Sequence, residues 1–212
     1  VHVQYKNWNR FRKYDRGQSL KNILGIGSAG TKIAQAFKKY DTYKVYGISS
    51  EIEKNSKYFF SIPELQDPEN YENLEFDKID KFLEKIDDDL AVVVCGASLS
   101  SGILLRALQP IHAKKINIEI IYVMPDLEVI SGNASLQERL VRNVIQEYAR
   151  SGVFKRALMV SNLELEALAG DVTVLDYHDK INSVLADMYY MLDVFKNSKP
   201  VSSTFSPVRE HC

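Results

Sequence analysis

Residues Ile23 to Phe37, ILGIGSAGTKIAQAF, run from an apolar stretch into a helical pattern through three glycines, Gly25-x-Gly27-x-x-Gly30. Ile33, Ala34 and Phe37 supply the helical spacing. Glycines at such a junction let the backbone turn tightly and approach a ligand. The new helix meanwhile turns its unpaired N–H groups and positive dipole end toward any anion placed there. A nucleotide phosphate is held in this way. The spacing by itself is shared by many proteins, so the rest of the chain has to say which nucleotide, if any.

Strand-like apolar runs recur at 22–26, 44–49, 58–62, 91–95, 118–124 and 157–161, most of them continuous rather than alternating. Continuous runs suit strands covered on both faces. Helical patterns fall between them at 31–39, 76–86, 101–114, 135–150 and 178–196. This alternation predicts an α/β fold with a Rossmann-like, mostly parallel sheet and helices on both sides. Right-handed crossovers then bring the C-terminal strand ends, and any ligand site, to one edge. Three parts are expected: a basic, aromatic arm over 1–18, the α/β domain over 19–197 and an irregular tail over 198–212. In the arm, Tyr5, Trp8, Phe11 and Tyr14 recur every three residues with basic residues between them. That stripe predicts packing on the arm's own domain or on a neighbouring subunit.

The net charge of −1 over 212 residues gives no case for nucleic acid. The charge is uneven, with thirteen acids against five lysines over 51–89, which reads as a solvated face. Cys95 and Cys212 offer no disulfide framework, and no apolar run approaches membrane-spanning length. A cytoplasmic location is expected. The four histidines lack paired metal-ligand spacing, and Ser98 and Ser101 lack the G-x-S-x-G elbow of a serine nucleophile.

Two more segments belong on the ligand edge. Gly96-Ala97-Ser98-Leu99-Ser100-Ser101-Gly102 follows a buried-looking strand and opens another helix. Its small residues permit close approach, and the hydroxyls of Ser98, Ser100 and Ser101 offer donors to phosphate oxygens. An ordinary strand-to-helix turn with a Ser N-cap is the alternative. Farther on come Val160-Ser161-Asn162 and a long helix bearing His178 and Asn182. Asn offers an acceptor and donors suited to a purine edge, and His178 lies one turn from Asn182. The alternatives are Asn162 as an N-cap and His178 and Asn182 as polar helix-surface residues.

The order of these motifs resembles the tubulin/FtsZ family. GSAGTKIA over Gly27–Ala34 is similar to that family's first phosphate loop, usually Gly-Gln-Ala-Gly-Asn-Gln-Ile-Gly. Gly96–Gly102 lies where the family carries Gly-Gly-Gly-Thr-Gly-(Ser/Thr)-Gly. Gly96, Ser101 and Gly102 keep that pattern, Leu99 replaces Thr, and Ala97, Ser98 and Ser100 replace glycines. KRALMVSNLELEAL resembles the segment that ends in Ile-Pro-Asn or Asp-Asn. HDKIN over His178–Asn182 is similar to the Tyr-Gly-Asp-Leu-Asn that starts the central helix. Asp67-Pro68-Glu69 resembles the Asn-Pro-Glu after the family's third loop. The resemblance implies GTP or GDP as ligand, with Mg²⁺ accompanying it. Gly27, Ser28, Ala29 and Gly30 would face phosphate together with Gly96, Ala97, Ser98, Ser100, Ser101 and Gly102. Asn162 and Asn182 would bond the guanine, and His178 would stack on it. It implies partners too: self-association, or a filament-forming protein of the same kind that this chain joins or caps.

The departures point to weak or absent hydrolysis. No glycine occurs between Gly47 and Gly96, so a flexible γ-phosphate-sensing loop is not expected. Over 201–209, Thr204 and Pro207 stand where the family carries the acid that completes a neighbouring subunit's site. Two alternatives stay open. One is a Rossmann-type NAD(P)-binding protein or oxidoreductase, with Glu51 about twenty residues past the glycines to hold a ribose hydroxyl. The other is a ligand-free interaction module with this fold.

Overall fold

The computed structural model describes residues 21–66, 70–71, 74 and 77–197. The expected arm and tail, Asp67-Pro68-Glu69, and Thr204 and Pro207 lie outside these. Among the described residues there are six strands: β1 Lys21–Ile26, β2 Tyr43–Ser49, β3 Phe59–Ser61, β4 Leu90–Cys95, β5 Ile118–Met124 and β6 Arg156–Ser161. They form one sheet in the order β3-β2-β1-β4-β5-β6, and every pairing is parallel. The α-helices whose bounds fall among the described residues are α1 Gly27–Ala36, α2 Asp77–Leu83, α3 Ile103–Ala113, α4 Asn133–Arg150, α5 Asn162–Ala169 and α6 Tyr177–Asn197.

All six expected strands occur where the apolar runs put them. Two helices differ from expectation. The α1 helix starts at Gly27, directly after β1, so Gly27 and Gly30 lie in its first turn and Gly25 within the strand, rather than all three in a loop between them. The α5 helix shows in the sequence only through the alternative of Asn162 as an N-cap, because NLELEALA spans barely two turns and follows a strand without a break.

Alternation along each strand divides the core into two layers. Leu24, Ile26, Ile48, Val92, Val94, Ile120 and Tyr122 face one side, where Phe82, Ile103, Leu104, Val141 and Ile145 cover them. Ile23, Val45, Ala91, Val93, Ile121 and Val123 face the other, beneath Ile33, Phe37, Leu165, Leu185 and Tyr189. Thus α2, α3 and α4 lie on one face and α1, α5 and α6 on the opposite one. Phe37 meets both Tyr43 and Tyr189 edge to face in the second layer. The outward stripe of α6, Met188, Met191, Leu192 and Phe195, is exposed.

At the edge where the strands begin, Glu119 is buried among Lys21 at 3.1 Å, Arg156 at 2.8 Å and the Tyr189 hydroxyl, which donates at 2.7 Å. Burial opposes ionisation of Glu119, but Lys21, Tyr189 and Arg156 outweigh it and hold the carboxyl at about 2. Lys21 also pairs with Asp193 of α6 at 3.2 Å, which ties the start of β1 to that helix.

Candidate functional site

The parallel sheet gathers every strand's C-terminal end on the opposite edge. In the order 3-2-1-4-5-6 the sequence of strands reverses between β1 and β4, and a crevice opens at such a switch point. Gly27–Gly30 leaves β1 there and Gly96–Gly102 leaves β4 beside it. The two segments the sequence singled out are therefore spatial neighbours.

The α1 helix is set down closely on the sheet. A Cβ on Gly25 would lie 2.3 Å from the Gly30 carbonyl oxygen, and one on Gly30 would lie 2.7 Å from the Val93 carbonyl oxygen. Two of the three glycines thus serve helix-on-strand packing. Gly27 differs: its φ is +76°, and a Cβ there would sit 2.4 Å from Ser100 Oγ and 3.0 Å from Ser98 Oγ. The second segment is pressed against the first at this one residue. No side chain caps the start of α1, and its first turn carries no acid. The first N–H groups of a helix have no partner within it, so this turn presents amides and a positive dipole end. Ser28 is half-buried, with its Oγ 3.1 Å from Ser49 Oγ, and Ala29 is exposed.

The second segment folds into a short 3-10 turn, Leu99–Gly102. Ser98 Oγ and Ser100 Oγ share a hydrogen bond of 2.9 Å. Ser101 is turned inward, where its hydroxyl donates to the Ser98 carbonyl at 2.6 Å and accepts from Gln137 Nε2 at 3.0 Å. Gly96 rests on Tyr122, whose hydroxyl would lie 1.9 Å from a Cβ at that position. Ala97 is half-buried, and Gly102 is buried at the entry to α3. The hydroxyls of Ser98 and Ser100 therefore face Gly27, whereas that of Ser101 closes the turn.

Asn162 opens α5, but the cap is Ser161, whose Oγ accepts from the Glu164 amide at 3.4 Å. Asn162 Nδ2 donates to Glu166 at 2.8 Å, and the Tyr177 hydroxyl donates to the same carboxylate. That hydrogen bond raises the Tyr177 pKa. Glu166 thus ties Asn162 to the first residue of α6, the helix that carries His178 and Asn182. His178 is exposed with its ring edge-on to Tyr177, and Asn182 is half-buried.

Glu51, just past β2, pairs with Lys32 of α1 at 2.8 Å, and its amide donates to Ser49 Oγ at 3.1 Å. The hydrogen bond from Lys32 lowers its pKa. Among the described residues no group of three or more His, Cys, Asp or Glu side chains could hold a metal ion, and no helix is long and apolar enough to cross a membrane.

The layer behind the second segment was missed by sequence reasoning. Gln137 and Glu138 of α4 are buried, and the Tyr122 hydroxyl donates to the Glu138 carboxylate at 3.2 Å. No signal marked them, since polar residues on an amphipathic helix read as its wet face.

No protein-family model matches the sequence, and comparison with curated proteins finds no relative. Solved structures do resemble it. An empty FtsZ dimer from M. jannaschii matches with a TM-score of 0.67 and 9% identity, over 95% of this chain and 62% of that one. TubZ of Clostridium botulinum phage c-st matches at 0.63 and 16% identity, over 84% and 60%. CetZ2 from Haloferax volcanii, in a GTPγS-bound protofilament, matches at 0.61 and 14%, over 81% and 57%. The chain spans about three-fifths of the length of these proteins. With the strand order and the two segments at its switch point, this likeness identifies the chain's fold as that of the tubulin/FtsZ GTPase domain.

Proposed function

We propose that this domain binds a guanine nucleotide, GDP or GTP, across the β1–β4 switch point. The contact of Ser98 and Ser100 with Gly27 carries the proposal, because it joins an uncapped helix start to two hydroxyls on the ligand edge. The phosphates would sit over residues 27–30, taking amide hydrogen bonds from the first turn of α1. Ser98 and Ser100 would flank them, with Gly96 and Ala97 leaving room for close approach. Asn162 and Asn182 would read the base and His178 would stack on it, at the end where Glu166 joins α5 to α6. Mg²⁺ would accompany the phosphates and neutralise their charge. With Thr204 and Pro207 in place of acids, binding would outlast turnover. Association with like subunits goes with this proposal, since relatives of this fold include a dimer and a protofilament.

Calorimetric titration with GDP, ADP and NAD tests it. GDP should bind best. Losing a buried hydrogen bond to the base costs about 1–3 kcal/mol, so Asn182→Ala should weaken GDP by roughly tenfold or more with an unchanged melting temperature. Equal affinity for GDP and ADP refutes guanine selectivity. Preference for NAD returns the domain to the dinucleotide class.

A further inference from the structure

The second segment does not hold its shape alone. Behind it, α4 buries an amide and a carboxylate, Gln137 at 7% and Glu138 at 2% exposure, while Leu136 and Leu140 of the same helix are exposed at 62% and 49%. Putting polar groups inside and leucines outside is unfavourable unless those groups have partners. Both have them, and the partners lead to the two ends of the 96–102 segment.

The Ser101 hydroxyl has one proton and gives it to the Ser98 carbonyl at 2.6 Å. Gln137 Nε2, 3.0 Å away, is then the donor to Ser101. The bonds run in one direction, from Gln137 to Ser101 to the Ser98 carbonyl, which also accepts the Ser101 amide at 3.0 Å. Two donors on one carbonyl fix the turn, and the fixed turn directs the Ser98 and Ser100 hydroxyls at Gly27. The other end rests on Tyr122, which is anchored to Glu138, itself paired with Arg142 at 3.0 Å.

We infer that Gln137 is a positioning residue for the phosphate-facing hydroxyls, acting through Ser101 from outside the ligand site; this rests on the nucleotide binding proposed above. Without its donor, the Ser101 proton is free to turn away from Ser98 and the turn loosens. The ligand then has to order Ser98 and Ser100 itself, which raises its dissociation rate more than it lowers its association rate.

The test compares Gln137→Met, of similar length but without a donor, with Ser101→Ala and with the double variant. GDP affinity and dissociation rate are measured, together with amide hydrogen exchange in the ligand-free proteins. Each single change should weaken GDP about fivefold, chiefly through faster dissociation. The double variant should be no worse than the weaker single one, because both cut the same chain of bonds. Exchange should quicken over 98–102 and stay unchanged in β4 and β5. Should Gln137→Met fail to fold, Ser101→Ala breaks the same link from the segment's side. A parent protein that binds GDP, with variants that bind it equally well, overturns the positioning role alone. A parent that binds no GDP overturns the nucleotide proposal and this inference with it.

Discussion

Replacing Gly27 by alanine tests the contact between the two segments directly. Two costs combine. Holding an L-residue at a φ of +76° costs about 1–2 kcal/mol. The new Cβ also lies 2.4 Å from Ser100 Oγ, and forcing an extra methyl into packed surroundings costs about 1–3 kcal/mol. Gly27→Ala should therefore lower stability by roughly 2–5 kcal/mol, the sum of those terms. Ser100→Ala removes the colliding oxygen and leaves its Cβ at 3.6 Å, an ordinary contact. Alone, that change should cost about 1 kcal/mol, for the hydrogen bond to Ser98. In combination it should relieve the collision with Ser100 but neither the backbone strain nor the 3.0 Å approach to Ser98 Oγ, leaving a coupling of about 1 kcal/mol. Urea titration of the four proteins gives the cycle, and GDP titration on the same samples separates packing from binding. If Gly27 only packs, the double variant binds GDP as well as Ser100→Ala does alone. If phosphate sits over this turn, the remaining methyl makes GDP weaker than in Ser100→Ala. Strict additivity of the two stability changes would refute the contact itself.

The other expectations concern the layers around the site. Gly96→Ala sets a Cβ 1.9 Å from the Tyr122 hydroxyl and should destabilise by about 2 kcal/mol or more. Tyr122→Phe in the same chain should recover only part of that, because ring carbon Cζ still lies 2.6 Å away; full recovery or none in urea melts contradicts this geometry. At the far edge, the Glu119 carboxyl is held at about 2 against an ordinary 4.5. A depressed carboxylate gives stability that is complete above its unfolded pKa and is lost as pH falls toward the folded one. That stability, about 3 kcal/mol, should disappear between about pH 5 and pH 2. Glu119→Gln should flatten this limb of the stability curve, and an unchanged acid slope in that variant would show that other groups govern it.

The sheet was legible because parallel strands covered on both faces leave continuous apolar runs, such as LAVVVC in β4. The two segments at the switch point were legible as clusters of small residues after strands. What escaped was direction. GxGxxG spacing cannot tell that Gly25 and Gly30 serve packing while Gly27 meets Ser98 and Ser100. The composition of 96–102 does not reveal that Ser101 turns inward. Gln137 and Glu138 escaped for a different reason. Helical periodicity turns Leu136 and Leu140 inward, whereas the bonds to Ser101 and Tyr122 rotate α4 the other way. The short α5 helix was hidden because its Leu-Glu alternation mimics a strand's period.

The strand order also has a kinetic meaning. Asn22 of β1 pairs with Tyr43's neighbour Lys44 across a short excursion, but with Leu90 of β4 only after a long one. Closing the longer loop is the slower event and delays that pairing. The switch point between β1 and β4 cannot exist before it closes. During refolding, β1, α1 and β2 can associate early, yet Gly27 meets Ser98 and Ser100 only when the centre of the sheet is complete. Ligand capture at this switch point would then act as a clock for the last central pairing, lagging behind the appearance of helix.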